Sequence, residues 1–311
     1  MIYNKRQLSK EAKSMHFVRD TYEKVLRLLD VLKMMQEQEP FHTCLALKGG
    51  TAINLTMFDL PRLSVDIDLD YHGDESKELV MKNRAIINDK LKLFMKSEGY
   101  NFSNKSKFHY LMDSFVYSYV NSGGQMDNIK IEINYSLRCH LFPPEYRSIQ
   151  RLPLNFLVKT LHPMDIFAGK INALISRCKP RDMYDFHQMI IRDMFCEEEK
   201  ILLRKCAVFY RAISSEGETE FDLRKMKDIQ QVHVKKHLLP VIHNAEFVDI
   251  DILKEVIEEY YERYMKLDTD DQKFLKLFQQ GCFQPELLFD EIIQSRIQHH
   301  PMVEWKLQHK S

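Results

Sequence analysis

The sequence carries no net charge: 45 lysines and arginines balance 45 aspartates and glutamates. No global basic field advertises nucleic acid, so any RNA contact has to come from local patches, which a balanced total can hide. No Cys-x-x-Cys pair is present. The six cysteines (Cys44, Cys139, Cys178, Cys196, Cys206, Cys282) are scattered, which excludes a finger-type zinc site and suits the reduced thiols of a cytoplasmic protein. Missing too is any run of about 18 apolar residues, so no membrane span is expected. Met1 to Lys13 is charged throughout and has no apolar signal core. Internal repeats, low-complexity tracts and flexible linkers are also lacking. What remains is a chain of 311 residues, 44% hydrophobic and 29% charged. That is enough for one large domain or two of ordinary size with a real core and a soluble surface.

Hydrophobic spacing divides the chain. Phe17, Tyr22, Val25, Leu28, Leu29 and Leu32 recur at helical intervals and predict a helix over 14–38, stopped by Pro40. A short helix is expected over Thr51 to Phe58 and a longer one over 76–97, ending at Gly99. Leu63 to Tyr71 alternates as a strand. Phe115–Asn121 and Ile129–Ser136 form two more strands around a turn at Ser122-Gly123-Gly124. After Pro163 the strand signal fades and helical periodicity dominates, with breaks near Pro180, Gly217, Pro240, Gly281 and Pro301. The fold class is therefore α+β: an N-terminal mixed sheet with helices over 1–155, then a helical part over 156–311.

Ser64-Val65-Asp66-Ile67-Asp68-Leu69-Asp70-Tyr71 is the most informative segment. Side chains alternate faces along a strand, so Val65, Ile67 and Leu69 point to the core while Asp66, Asp68 and Asp70 share the other face. Aspartate is disfavoured in strands, and three on one face repel each other. A cation would neutralise them, and hard cations such as Mg²⁺ take carboxylate oxygens together with substrate phosphates. The alternative is a solvated edge-strand face. In Ile129-Lys130-Ile131-Glu132-Ile133-Asn134 the isoleucines share one face and Glu132 lies on the other. Alone, Glu132 is a solvated position. Beside the aspartate pair it would complete a metal site for in-line displacement at phosphorus.

Leu47-Lys48-Gly49-Gly50-Thr51 joins an apolar stretch to a helix start. Adjacent glycines let the backbone turn tightly and approach a ligand closely. The helix start beyond them offers free N–H groups. Thr51 either caps that helix or gives its hydroxyl to a phosphate. A plain turn with a cap explains the segment equally well. The Gly-Lys-Ser/Thr ending of a P-loop is absent.

Leu47-Lys48-Gly49-Gly50-Thr51-Ala52 followed by Arg62-Leu63-Ser64-Val65-Asp66-Ile67-Asp68-Leu69 resembles the signature of polymerase-β-type nucleotidyltransferases. More narrowly, it resembles the AbiEii/AbiGii toxin family, which includes the MenT toxins. The resemblance covers both motifs, the Glu132 strand and the helical region to about residue 195. Each motif alone is weak; the combination is fairly specific. In that superfamily a third acid comes from a later strand. Glu132 takes that place here because Asp127 lies in a turn context.

In the helical part, Met164, Phe167, Ala168, Ile171, Leu174 and Ile175 form the apolar stripe of a helix from Pro163 to Arg177, with Lys170 and Arg177 on another face. Cys178-Lys179-Pro180-Arg181-Asp182-Met183-Tyr184-Asp185-Phe186 follows. Asp182 and Asp185, three apart, share a helix face. Acids at a helix start are also favoured by the macrodipole alone. The stretch is similar to the family pattern of an inward lysine followed by Arg-Asp-x-Tyr-Asp. That resemblance implies that Lys170 contacts the triphosphate and Asp182 supports the site. Alternatively, Asp185 would orient Lys170 or Arg181; Asp165 has no assigned role. Tyr260, Tyr261, Tyr264, Phe274, Leu277 and Phe278 are spaced for helix packing rather than base stacking. His299-His300 is expected to be solvated. Arg224-Lys225-Met226-Lys227 with Lys235-Lys236 is a modest basic tract, a charged surface face that would also meet RNA phosphates.

The expected activity is Mg²⁺-dependent nucleotidyl transfer. The triphosphate would sit at Lys48, Gly49, Gly50 and Thr51, with Asp66, Asp68 and Glu132 as metal ligands and Lys170 on the leaving pyrophosphate. The resemblance implies a toxin of a toxin–antitoxin or abortive-infection system, with a cognate antitoxin and an RNA acceptor such as tRNA. Two alternatives stay open: a small-molecule nucleotidyltransferase of the antibiotic-modifying kind, and a non-catalytic module that binds nucleotide or antitoxin.

Overall fold

A computed structural model describes residues 3–73, 76–149, 152–214, 221–243 and 247–309. The chain forms two compact units. The first comprises Met1–Arg138, Pro144–Leu161 and Leu239–Glu246; the second comprises Cys139–Pro143, His162–Leu238 and Phe247–Ser311.

The first unit begins with helices α1 (Lys5–Ser14), α2 (Arg19–Glu37) and α3 (Phe41–Cys44). Val25, Leu28, Leu29 and Leu32 of α2 are all buried, as its helical spacing predicts. Then come β1 (Leu45–Lys48), α4 (Gly49–Ala52) with a wider π turn over Ile53–Met57, β2 (Asp66–Tyr71) and α5 (Lys77–Ser97). Strands β3 (Asn101–Phe102), β4 (Lys107–His109), β5 (Met112–Val120), β6 (Met126–Asn134), β7 (Glu145–Ser148) and β8 (Leu157–Thr160) follow. They join β1 and β2 in one mixed sheet of order β3-β5-β6-β2-β1-β8-β7, with β4 on β5. β2 runs parallel to β6 and antiparallel to β1. The last sheet strand therefore lies beyond residue 155. Leu47, Ile67, Ile131, Ile133 and Phe115 are each at most 0% exposed on the buried side of the sheet, as alternation requires.

One boundary differs from expectation. Pairing of β2 starts at Asp66, not at Leu63. Leu63 instead donates its N–H to the carbonyl of Val241 at 2.6 Å, and Arg62 bridges Ile242. The approach to the strand is tied to a distant segment, and Val65 stays half-buried outside the ladder.

The described part of the second unit is helical: α6 (Pro163–Ser176), α7 (Pro180–Ile191), α8 (Glu197–Ser214), α9 (Gln231–His237), α10 (Ile250–Tyr260) extended by a π turn over Tyr261–Met265, α11 (Thr269–Gln279), α12 (Glu291–Ile297) and α13 (Pro301–Gln308). Pro180 and Pro301 sit at helix starts, where the missing N–H costs nothing. Gly217 lies outside the described residues. The stripe of α6 (Met164, Phe167, Ala168, Ile171, Leu174, Ile175) is buried, as are Tyr260, Phe274 and Phe278. His300 is not solvated: it is 0% exposed, packs 5.5 Å from the Phe209 ring and caps α13 by accepting the Met302 N–H at 3.1 Å. His299 is exposed.

Candidate functional site

Gly49 follows β1 at φ +66°, in the left-handed region open to glycine, and a Cβ built on it would lie 2.9 Å from Oδ2 of Asp68. The glycine turn is thus pressed against an aspartate of the neighbouring strand, as closely as a side-chain-free backbone permits. A Cβ on Gly50 would run into the Arg62 guanidinium and lie 3.2 Å from Ser64 Oγ. Thr51, 1% exposed, turns its hydroxyl inward to the Asp66 carbonyl and to Ser64 Oγ at 2.9 Å. It makes no cap on the helix, and its hydroxyl fastens the turn to the start of β2.

Register sets the rest. Lys48 stands opposite Asp68, Asp68 opposite Glu132, and Glu132 opposite Ser114, so these residues form one row across β1, β2, β6 and β5. Neighbouring members are about 4.8 Å apart at the backbone. Asp66 lies one row along, opposite Lys130. Asp66, Asp68 and Glu132 are all half-buried, and Lys130 reaches Glu132 Oε2 at 2.7 Å.

Asp70 departs from the expected trio. It is 1% exposed, forms an ion pair with Lys48 and accepts from Asn134 Nδ2 at 3.0 Å. A buried carboxylate needs such partners, and here the protein's own lysine supplies the cation. The face therefore offers Asp66 and Asp68, not three equivalent aspartates, and Lys48 is engaged with Asp70.

Among the described residues no group of three or more His, Cys, Asp or Glu side chains stands ready to enclose a metal. A magnesium ion asks for less. It keeps several waters and takes one or two carboxylates plus substrate phosphates. Asp66 and Asp68, half-buried oxygen donors on one sheet face, fit that requirement.

The second unit holds a charged cluster. Lys170 on α6 is 8% exposed, with Nζ 3.0 Å from Asp182 Oδ1 and 2.9 Å from Asp185 Oδ2 on α7. Arg177 grips Asp182 with two bonds, Nε to Oδ2 at 2.9 Å and Nη2 to Oδ1 at 3.1 Å. Burial opposes the charged form of Asp182, but Lys170 and Arg177 outweigh it and hold the carboxyl well below the usual carboxylate range. The helical spacing of Asp182 and Asp185 does place both on one face, and both meet Lys170. Arg181 donates Nε to the His237 carbonyl at 2.8 Å.

Asp165, to which the sequence assigns no role, is 5% exposed and accepts from Tyr210 Oη at 2.6 Å and from the N–H groups of Leu141 and Phe142 at 3.2 Å each. Burial pushes its carboxyl up to about 6, against the lowering influence of His140 and these hydrogen bonds. Its partners lie 23 to 45 residues away along the chain, so no local pattern announces it.

The family model described as nucleotidyl transferase AbiEii toxin, type IV toxin–antitoxin system, matches residues 32–308. No curated protein matches the chain. Among solved structures, the chain is similar to MenT4, a nucleotidyltransferase toxin from Mycobacterium tuberculosis H37Rv, at 15% identity and a TM-score of 0.67, covering 99% of each chain.

Proposed function

We propose, from the premise that this chain belongs to the nucleotidyl transferase AbiEii toxin family of type IV toxin–antitoxin systems, that it transfers a nucleoside monophosphate from a triphosphate to an RNA acceptor, with tRNA as the candidate. The family makes the chain a nucleotidyltransferase and gives it an antitoxin partner. The observation that carries the reading is the contact between the Gly49 turn and Asp68, with Asp66 and Glu132 beside it on the same sheet face. Such an arrangement sets a bare backbone turn, suited to phosphate oxygens, against carboxylates suited to a divalent cation.

In this proposal Gly49 and Gly50 let the triphosphate approach the backbone. Thr51 keeps the turn fixed through Ser64 and the Asp66 carbonyl. Asp66 and Asp68 would hold Mg²⁺, which when bound screens phosphate charge. Glu132, once released from Lys130, takes the proton of the attacking hydroxyl or serves as a further metal ligand. Lys48 acts through Asp70, whose charge it compensates. Lys170 and Asp182 enter as the resemblance implies, the lysine for the charge of the leaving pyrophosphate and the aspartate as its support. No helix among the described residues is long and apolar enough to cross a membrane, and the proposed place of action is the cytoplasm, where NTPs and RNA are found.

The test is incubation with each labelled NTP, Mg²⁺ and total RNA, followed by gel analysis. Label in an RNA band supports the proposal. Label only in a small acceptor moves the protein to the small-molecule class. No transfer from any NTP removes the proposed activity.

A further inference from the structure

In-line displacement at phosphorus sets the attacking hydroxyl and the leaving pyrophosphate on opposite sides of the reacting phosphorus. On the nucleotidyl-transfer reading, the glycine turn takes the triphosphate on the β1 side of Asp68. The acceptor hydroxyl then has to arrive from the other side, over β6, where Glu132 stands opposite Asp68. Beyond Glu132 the same row continues through Ser114 on β5 to Lys107 on β4. Directly opposed residues share a sheet face, so Lys107 stands on the face that carries Asp68 and Glu132. Two strand spacings, roughly 10 Å, separate its backbone from that of Glu132.

This outer part of the face is polar. By register it presents Asn128 and Lys130 of β6, Ser118 of β5, Lys107 of β4 and Asn101 of β3 around Glu132. Glu132 is the only carboxylate that these four strands place there. Lys130 compensates it at 2.7 Å, with its own side chain still 42% exposed. Lys107 is exposed and forms no ion pair among the described residues. The opposite face of the same strands is apolar and closed, with Phe115, Tyr117, Ile129 and Ile131 buried.

At the sheet edge an aromatic pair joins the lysines. Phe102 on β3 and Phe108 on β4 stack with ring centres 6.3 Å apart and planes 18° off parallel, yet they stay 50% and 44% exposed. They rest edge-on on the buried Tyr117 and Phe115. Lys92 of α5 holds its ammonium 5.7 Å from the Phe108 ring. From Lys90 to Phe108 the chain carries five lysines and one acid, Glu98. All five lysines are exposed, so a chain of zero net charge has a local basic patch here. Lysine on an edge strand also guards against pairing with another strand. Two half-exposed phenylalanines on that edge work against such protection.

We propose that acceptor RNA lies across β6, β5 and β4, with Lys107 holding a phosphate behind the attacking hydroxyl and unpaired bases stacking at the edge on Phe108 and Phe102. The proposal rests on the nucleotidyl-transfer reading of the Gly49 and Asp66/Asp68 site. In the transfer, the hydroxyl oxygen bonds to the α-phosphorus as the bond to pyrophosphate breaks, and its proton goes to Glu132 or to water. Lys107 is a positioning residue, because it touches the acceptor backbone and not the reacting atoms. Lysines neutralise phosphate, and every base offers a π face to an exposed ring whatever the sequence. An acidic peptide would use the lysines alone. The row that leads back to Glu132 suits a ligand that delivers a hydroxyl there.

The test measures RNA binding and nucleotide transfer separately on the full chain. The probes are a labelled RNA hairpin with a single-stranded 3′ tail and the same hairpin blunt-ended. Without NTP, fluorescence anisotropy is expected to show the tailed hairpin binding roughly tenfold more tightly. Lys107→Gln is expected to weaken that binding roughly fivefold and to lower the slope of log affinity against log salt by about 0.7, one phosphate contact on a single strand. Lys107→Arg is expected to restore the slope, which a purely structural role would not move. Phe102→Ala with Phe108→Ala is expected to bring tailed and blunt hairpins to similar affinity. Should that double variant unfold, Lys107→Gln, on an exposed side chain, still decides the question. In transfer assays the loss is expected in the KM for RNA and not in the KM for NTP. RNA binding lost in the variants of a wild type that transfers nothing supports the surface and removes only the transfer reading. Transfer by wild type with the same KM for RNA in every variant overturns the surface and keeps that reading. No RNA binding by wild type, or equal affinity and salt slope throughout, overturns the proposal and leaves the edge to a protein partner.

Discussion

Lys170 and Asp185 form a buried ion pair, 2.9 Å from Nζ to Oδ2, with the lysine 8% and the aspartate 0% exposed. Asp182 shares the same ammonium. Removing Lys170 therefore does more than delete a phosphate ligand, because it strands charge in the interior. Lys170→Ala is expected to cost about 3–5 kcal/mol in stability, as for other broken buried pairs. Lys170→Ala with Asp185→Asn is expected to recover most of that loss in urea unfolding while nucleotide transfer stays down. Recovery of transfer in the double variant would make Lys170 a structural residue only.

Two buried aspartates impose opposite pH dependences. Burial raises the Asp165 carboxyl from 3.8 to about 6, so between those values the native state holds a proton that the unfolded chain has lost. Stability from this group falls as pH rises across that window, by at most roughly 3 kcal/mol. Asp182 is depressed instead. Its contribution is present above the usual carboxylate range and disappears as pH falls through its low folded value. Urea midpoints measured from pH 3 to 8 are expected to decline less from about 4 to 6 in Asp165→Asn than in wild type. In Asp182→Asn they are expected to lose less on acidification. Unchanged profiles in both variants would refute these assignments.

Alternation along 66–71 made the aspartate face legible from sequence, because the period of a strand is a local property. The pairing of Asp70 with Lys48 was not, because it depends on the antiparallel register of β1 and β2. The stripe of α6 was equally plain. The burial of His300 was not legible locally, since it comes from packing on Phe209, far earlier in the chain. The helical spacing of Asp182 and Asp185 placed both on one face, but only the packing of α7 on α6 brings them to Lys170. Local patterns report which side a residue faces; its partner across the core is a tertiary fact.

Gly49 combines φ +66° with a Cβ position 2.9 Å from Asp68 Oδ2. Gly49→Ala must therefore both strain the backbone, by about 1–2 kcal/mol, and push the Asp68 carboxylate away. Transfer is expected to fall more than stability does. A thermal melt near wild type alongside a clear drop in kcat supports the close approach as functional. A variant as active as wild type shows that the turn tolerates a side chain and that phosphate does not bind there.

Asp66 and Asp68 carry the catalytic proposal. Each is half-buried on the sheet face beside the glycine turn. Asp66→Ala or Asp68→Ala removes a metal ligand, worth several kcal/mol in the transition state, so transfer is expected to fall roughly a hundredfold or more. The fold should persist, because deleting one of two like charges relieves repulsion. EDTA is expected to abolish wild-type transfer, with added Mg²⁺ restoring it. In a bacterial host without antitoxin, wild type is expected to arrest growth while Asp66→Ala at the same protein level is harmless. Full in-vitro activity in both variants sinks the metal assignment. Growth arrest by wild type and variant alike separates toxicity from catalysis, and places the toxic effect in an interaction that survives loss of the carboxylate.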